Sequence, residues 1–521
     1  MAQLEVTDLT FGYDNSPDLI FDHVSFSVDT DWKLGLIGRN GKGKTTFLNL
    51  LLGKYEYRGR IRSSAAFDYF PFQFPDHLRE KPLAEFMSEI TEDVEDWRVM
   101  IEMSKLNLSA ELLYRPFRLL SNGEQTKILL AILFSRENLF LLIDEPTNHL
   151  DRSSRDAVKE YLKSKKGFIL VSHDRDLLDA VTDHMLVLNR ETIQVQAGNF
   201  STWWENKERM DAFHLAENEK HLKEIGKLQT ASRRIGSWAD KSENTKIGFD
   251  PIKEHDRSIA TRSFVGAKTK KAQARVKAME KRIDREIEEK EGLLNDIEKE
   301  TPLELRPMHF YKDRLIFCRD FRLSYSGHPV PVIDALSFEL KDGDRLAITG
   351  VNGSGKSSLI KAILSRIPAF REKYPEYLST YLENAEESGT LDVGSGLIVS
   401  YINQDTSGLR GSMDDFIQKN ALDEVIFKAV LRKLDFERSQ FSKNMEDYSE
   451  GQKKKVLIAA SLVTPAHLYI WDEPLNYIDV FSRIQIEELL KKFKPTMLFV
   501  EHDVKFCEQI ATEELQLMKH I

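Results

Sequence analysis

Two stretches of this 521-residue chain repeat one pattern, G-x-x-x-x-G-K-[ST]. The first reads Gly38-Arg39-Asn40-Gly41-Lys42-Gly43-Lys44-Thr45-Thr46, the second Gly350-Val351-Asn352-Gly353-Ser354-Gly355-Lys356-Ser357-Ser358. Each follows a short apolar run with strand character, residues 33–37 and 345–349, and opens a segment with an apolar helical face. The glycines let successive backbone N–H groups turn inward on phosphate oxygens. A helix starting there adds the positive end of its dipole. Lys44 and Lys356 can reach the outer phosphates of a nucleotide, and the Thr45 and Ser357 hydroxyls can hold Mg²⁺. Two such units far apart in one chain are a long internal repeat, and a strand-loop-helix unit of this kind implies an α/β fold built twice.

Other residues recur in the same order. Tyr13 and Tyr325 stand at equal distances before Gly38 and Gly350, placed to stack on an adenine ring. An apolar strand ends at Gln73, and another at Gln404; each amide can lie near Mg²⁺ and an attacking water. Ser121, with Gly123 and Glu124, opens a helix with a capping box, and Ser449 with Gly451 repeats the arrangement. The run Leu139-Phe140-Leu141-Leu142-Ile143 suits a central parallel strand and ends in Asp144-Glu145. Two acids at the end of a core strand are costly unless a metal or hydrogen-bond donors satisfy them. Asp144 can reach Mg²⁺, and Glu145 can polarise water as a general base. Asp472 and Glu473 repeat the pair, Asp151 and Asp479 follow in loops, and His173 and His502 close later strands, where they can sense the γ-phosphate.

Composition narrows the class further. The net charge of −10 argues against indiscriminate nucleic-acid binding by the whole surface. No apolar run approaches the roughly 18 residues that span a bilayer. Met1 and the residues after it alternate like a strand, without a signal-peptide pattern. Cys318 and Cys507 are the two cysteines, too far apart in sequence to suggest a disulfide framework or a zinc site. A cytoplasmic location is expected.

The ordered set resembles the ATP-binding-cassette ATPases over nearly the whole chain, as two cassettes in one polypeptide. Its members resemble, in turn, that family's A-loop, Walker A, Q-loop, signature, Walker B with catalytic Glu, D-loop and H-switch. The resemblance implies ATP and Mg²⁺ as ligands, with Glu145, Glu473, His173 and His502 catalytic. It also implies head-to-tail pairing within a monomer: Lys44 works with Ser449 and Gly451, and Lys356 with Ser121 and Gly123. The signatures depart from the family's usual LSGGQ, since Asn122 and Glu450 replace its first glycine. Glu501 precedes the second His where Ser172 precedes the first. Two competent sites with unequal rates are expected.

Between the cassettes lies a charged stretch without cassette motifs. Its pattern predicts two long helices, from about Trp203 to about Lys241 and from about Phe264 to Lys299, around a turn-forming Gly248-Phe249-Asp250-Pro251. The expected division is 1–200 for the first cassette, 201–301 for a helical hairpin linker with its tip at about 243–258, and 302–521 for the second cassette. Residues 221–283 hold sixteen Lys/Arg against seven Asp/Glu. This basic distal half, with Trp238, Phe249 and Phe264, suits phosphate contact and base stacking, with Lys246, Phe249, Lys268, Lys270, Lys271 and Arg275 as the contact residues. Its proximal part reads as a solvated coiled coil.

Two fused cassettes, no membrane segment and a charged helical linker resemble the ABC-F proteins, which act on ribosomes. The match looks closer to the Lsa-type antibiotic-resistance group, on Trp32 to Gly41, Gly198-Asn199-Phe200-Ser201, Ala216 to Lys220 and Leu468 to Tyr477, and on the short stretch after His502. That resemblance implies entry of the ATP-bound protein into the E site of the 70S ribosome. The linker tip then approaches the 23S rRNA of the peptidyl-transferase centre beside the P-site tRNA. Lincosamides, pleuromutilins and streptogramin A are displaced, and ATP hydrolysis releases the ribosome. Competing readings are a housekeeping translation factor of the same fold, the motor subunit of a membrane transporter, for which no membrane part is in view, and a DNA-repair or condensin-like ATPase, whose zinc or hinge motifs are absent.

Overall fold

The computed structural model describes residues 3–13, 19–72, 74–90, 96–148, 150–189, 192–244, 274, 277–279, 281–283, 307–327 and 330–519. The first half supplies strands β1 (Gln3–Phe11), β2 (Phe21–Asp29), β3 (Lys33–Gly38), β4 (Arg58–Ser63), β5 (Ala66–Phe70), β6 (Leu139–Asp144), β7 (Phe168–Val171), β8 (His184–Leu188) and β9 (Ile193–Ala197). Strands β2, β1 and β4 pair antiparallel. Leu4 and Val6, then Leu9 and Phe11, turn inward along β1, the period-2 pattern of a sheet with one covered face, offset by one residue where the register shifts between Val6 and Leu9. The second sheet runs β5-β6-β7-β3-β8-β9, parallel except for the β8–β9 pair. Its central strands are buried along their length, as helices on both faces require.

The second half repeats this plan with β10 (Arg314–Tyr325), β11 (Ile333–Lys341), β12 (Arg345–Thr349), β13 (Ala385–Val393), β14 (Val399–Ile402), β15 (Leu468–Asp472), β16 (Met497–Val500) and β17 (Glu513–Gln516). The antiparallel order β11-β10-β13 matches β2-β1-β4, and the parallel order β14-β15-β16-β12-β17 matches β5-β6-β7-β3-β8. In both large sheets the chain crosses over between neighbouring strands, so the loops leaving the carboxyl ends of β3, β6 and β7, and of β12, β15 and β16, converge on one crevice. That is where open α/β sheets bind ligands. Residues 368–393 are polar with Pro, Gly and Glu, a composition that suits a surface insertion, yet they are built into the cassette. They form helices Pro368–Lys373 and Pro375–Asn384, then β13, which pairs with β10. Phe370, Leu378 and Tyr381 are buried in the cassette core, which their polar neighbours concealed in the sequence.

The chain divides into two compact units, one of Met1–Trp203 with Thr301–Ile521 and one of Trp204–Glu300. A single helix, Phe200–Asn244, leaves the first cassette. At 1.5 Å per residue its 45 residues span about 67 Å. Residues 274, 277–279 and 281–283 are also helical. Lys246, Phe249, Lys268, Lys270, Lys271 and Arg275 lie outside the described residues, as does Gln73. Among the described residues no helix is long and apolar enough to cross a membrane.

Candidate nucleotide sites

Each phosphate loop closes on a glycine that only a residue without Cβ suits. Gly43 and Gly355 hold φ of 91° and 93° and precede helices Lys44–Leu51 and Lys356–Ser365. Within the first loop Lys44 Nζ donates to Gly38 O at 2.7 Å and Asn40 Oδ1 at 3.2 Å. Lys356 Nζ donates to Gly350 O at 2.9 Å and Val351 O at 3.1 Å. Both ammoniums are buried, and burial lowers their affinity for the proton. The aromatic residues ahead of the loops lie beside them. The Tyr13 hydroxyl is 2.9 Å from Thr46 Oγ1, and the Tyr325 hydroxyl donates to Ser358 Oγ at 3.0 Å.

The paired acids sit at the ends of β6 and β15. Glu145 and Glu473 have φ of 50° and 47°, a left-handed backbone that is uncommon for glutamate and concentrates at functional sites. The strain is pinned by neighbouring strands: Glu145 N donates to Val171 O at 2.9 Å and Glu473 N to Val500 O at 3.0 Å. These bonds set each carboxylate beside the histidine that follows β7 or β16. His173 Nε2 is 3.3 Å from Glu145 Oε1, and His502 Nε2 is 3.4 Å from Glu473 Oε1. Beyond that the surroundings diverge. Burial and the charge of Asp144 push Glu145 up to about 8, and its Oε1 has no hydrogen-bond partner among the described residues. Burial also works against a charged Glu473, but His502, Gln404 and Asn476 outweigh it and hold the group at about 2. Gln404 and Asn476 both donate to Glu473 Oε2, the latter at 2.9 Å. Gln404, expected near Mg²⁺, is therefore engaged with the glutamate.

The second cassette's signature reaches the first phosphate loop. Asn40 Nδ2 donates to Tyr477 O at 3.0 Å, across the two halves. A Cβ on Gly451 would lie 2.5 Å from Tyr477 O and 3.1 Å from Asn40 Nδ2, so the signature glycine, the loop after β15 and the phosphate loop meet where only glycine fits. Arg39 pairs with Asp435, and Lys42 Nζ lies 3.0 Å from Glu437 Oε1. At the other end Arg152 of the first cassette lies 3.6 Å from Glu514 of the second, and Arg155 Nη1 donates to His502 O at 3.4 Å. Asn352 N is 3.5 Å from Asp151 Oδ2, and the atoms nearest a Cβ on Gly123 are those of Ser154 and Leu150, in its own cassette. Ser121 and Ser449 both cap their helices through full capping boxes. Between the two sites Arg175 forms a two-pronged pair with Glu487 of the opposite cassette.

Both sites offer hard oxygen donors. Thr45 Oγ1 donates to Asp144 Oδ2 at 3.2 Å, Ser357 bonds Asp472, and Asp472 Oδ1 is a buried carboxylate oxygen with no hydrogen-bond partner among the described residues. Burial and the neighbouring Glu473 push Asp472 up to about 6. Among the described residues no group of three His, Cys, Asp or Glu could hold a metal by itself. This donor set fits Mg²⁺ shared with substrate phosphates, the usual mode for that ion, and does not fit an all-protein metal cage.

Sequence reading missed Arg39, Arg175, Asp435, Lys454 and Arg483, all charged groups in or beside the cassette interface. For four of them the available signal was asymmetry between the halves: Val351 stands opposite Arg39 in the repeat, Val504 opposite Arg175, Asn107 opposite Asp435 and Thr126 opposite Lys454, whereas Arg483 has Arg155 as its match.

Comparison with known proteins places these loops in a common frame. A family model described as ABC transporter matches residues 21–148 and 333–476. The ribosome protection protein VmlR of Bacillus subtilis is 27% identical over 98% of this chain and 86% of its own length. The erythromycin resistance ATP-binding protein MsrA of Staphylococcus epidermidis is 25% identical over 93% of this chain and 92% of its own. In fold, the chain superposes with a TM-score of 0.60, at 18% identity, on a chain from the crystal structure of archaeal ribosomal stalk protein aP1 with ribosome recycling factor aABCE1, covering 98% of this chain and 87% of that one.

Proposed function

The chain belongs to the ABC transporter family, as an ABC-F-type protein with two ATPase cassettes, and from that premise we propose that it is a ribosome-protecting ATPase of the Lsa-type resistance group. The observation that carries this reading is the similarity to a ribosome protection protein along 98% of the chain, which takes in the inter-cassette stretch as well as the cassettes. The 45-residue helix between the cassettes and the basic composition of residues 221–283 support it, since a long cationic element on an acidic protein suits contact with RNA.

The mechanism follows from the site geometry. ATP occupies each phosphate loop, with Tyr13 or Tyr325 against the base and Lys44 or Lys356 turned from the loop carbonyls onto the phosphates. The N-termini of the helices Asn122–Ser135 and Glu450–Val463 complete the sites from the opposite cassettes. Thr45 with Asp144, and Ser357 with Asp472, would hold Mg²⁺, which would supply neutralisation of developing phosphate charge. Glu473 and Glu145 accept the proton of the attacking water, and His502 and His173 fix those carboxylates. ATP thus favours the closed cassettes, and hydrolysis removes the ligand that favours them. In the cytoplasm the closed monomer enters the ribosomal E site and presents the linker tip to the 23S rRNA and P-site tRNA; lincosamides, pleuromutilins or streptogramin A leave the peptidyl-transferase centre, and hydrolysis frees the ribosome.

The test is a cell-free translation reaction inhibited by each of the three drug classes. Added wild-type protein is expected to restore synthesis against at least one class, and Lys44→Ala/Lys356→Ala protein is not. Failure to restore synthesis against all three overturns the protective reading.

A further inference from the structure

The two signature helices differ in charge at one buried position. In the second cassette the helix Glu450–Val463 begins beside the first phosphate loop, where Gly451 approaches Asn40. Lys455 on this helix serves that same site: its Nζ lies 2.9 Å from Asp479 Oδ2, and the Asp479 charge acts on Lys44 and His173. The preceding residue, Lys454, reaches the other way. Consecutive helical residues are about 100° apart, so adjacent lysines serve different sides. Lys454 is 2% exposed, and its Nζ donates to Asn403 O at 3.1 Å and Glu473 O at 3.4 Å. Asn403 precedes Gln404, whose amide holds the Glu473 carboxylate. One ammonium therefore ties both loop ends of the second site to a helix whose N-terminus closes the first.

A buried ammonium needs a compensating charge. Glu501, also buried, supplies it: its charge acts on Lys454, while its carboxylate accepts from Leu475 N at 2.8 Å. The first cassette carries Thr126 and Ser172 at the matching places, so both members of the pair are present in one half and neutral in the other. A purely structural demand of the fold would act on both halves alike.

We propose that Lys454 is a positioning residue that couples the two ATP sites in one direction: closure of the helix Glu450–Val463 on the first site sets Gln404 and Glu473 at the second. The coupling rests on the assignment of Glu145 and Glu473 to the two hydrolytic sites and is independent of the ribosome.

Second-site turnover is measured with the first site held closed by ATP, in Glu145→Gln, and with that site unable to hold ATP, in Lys44→Ala. The expected ratio is tenfold or more in favour of Glu145→Gln. Adding Lys454→Met brings the ratio below about twofold, and Lys454→Arg, which keeps the donor, preserves it. The double variant Lys454→Thr/Glu501→Ser, which installs the first cassette's residues and leaves no lone buried charge, carries the same expectation as Lys454→Met. The reciprocal ratio, first-site turnover in Glu473→Gln over Lys356→Ala, stays unmoved. A ratio near one with Lys454 present, an equal loss from Lys454→Met in both backgrounds, or an equal shift of the reciprocal ratio overturns the proposal. Undiminished hydrolysis by Glu145→Gln/Glu473→Gln protein would instead overturn the site assignment.

Discussion

Glu145 and Glu473 end equivalent strands with the same left-handed backbone, yet their carboxyl groups meet opposite surroundings. The difference has a stability consequence in nucleotide-free protein. Glu145 is pushed up to about 8, so the fold favours its neutral form, and that contribution is present below the ordinary glutamate value and lost as pH rises toward 8. Glu473 is held at about 2, so its contribution is present above the ordinary value and lost as pH falls toward 2. In thermal melts Glu145→Gln is therefore expected to gain on wild type between pH 5 and 8. Glu473→Gln should melt below wild type at pH 7, with a deficit that shrinks below pH 4.5. Parallel pH profiles for the two variants would contradict this. The residue types of both sites were legible in the sequence because phosphate loops and strand-end acids carry fixed local patterns. Their unequal environments were not, because they arise from partners far away in sequence, such as Arg483 acting on Glu145 or Gln404 donating to Glu473.

The elements at the cassette interface are fitted more closely at the first site than at the second. Gly451→Ala would drive a Cβ onto a backbone carbonyl, whereas at Gly123 the nearest atom belongs to a serine side chain that can turn away. ATP turnover is expected to fall at least tenfold in Gly451→Ala and severalfold less in Gly123→Ala; equal losses would count against the unequal fit. The Arg175–Glu487 pair has its own signature. Arg175→Met leaves a buried carboxylate unpaired and should cost about 3–5 kcal/mol, and Arg175→Met/Glu487→Met should recover most of it. Denaturant titration of the two variants checks this. The α/β class and the doubled plan followed from the two repeats. Helices Pro368–Lys373 and Pro375–Asn384 did not, because their buried side chains are spaced among Pro, Glu and Lys residues that read as loop.

For the whole molecule, the two sites are edged by different charges. Charged groups at the edge of the first site, Arg39 with Asp435 and Lys42 with Glu437, face uncharged counterparts at the second, Val351, Asn107, Ser354 and Ser109. Single Glu145→Gln and Glu473→Gln proteins are expected to retain unequal ATP turnover, and equal residual rates would contradict that. The central claim is that ATP-driven closure creates a ribosome-binding form. It is tested most directly by sedimenting Glu145→Gln/Glu473→Gln protein with 70S ribosomes, with and without ATP. The account predicts stable pelleting with ATP and little without it. A protein that binds ATP and closes, but stays in the supernatant, would contradict it.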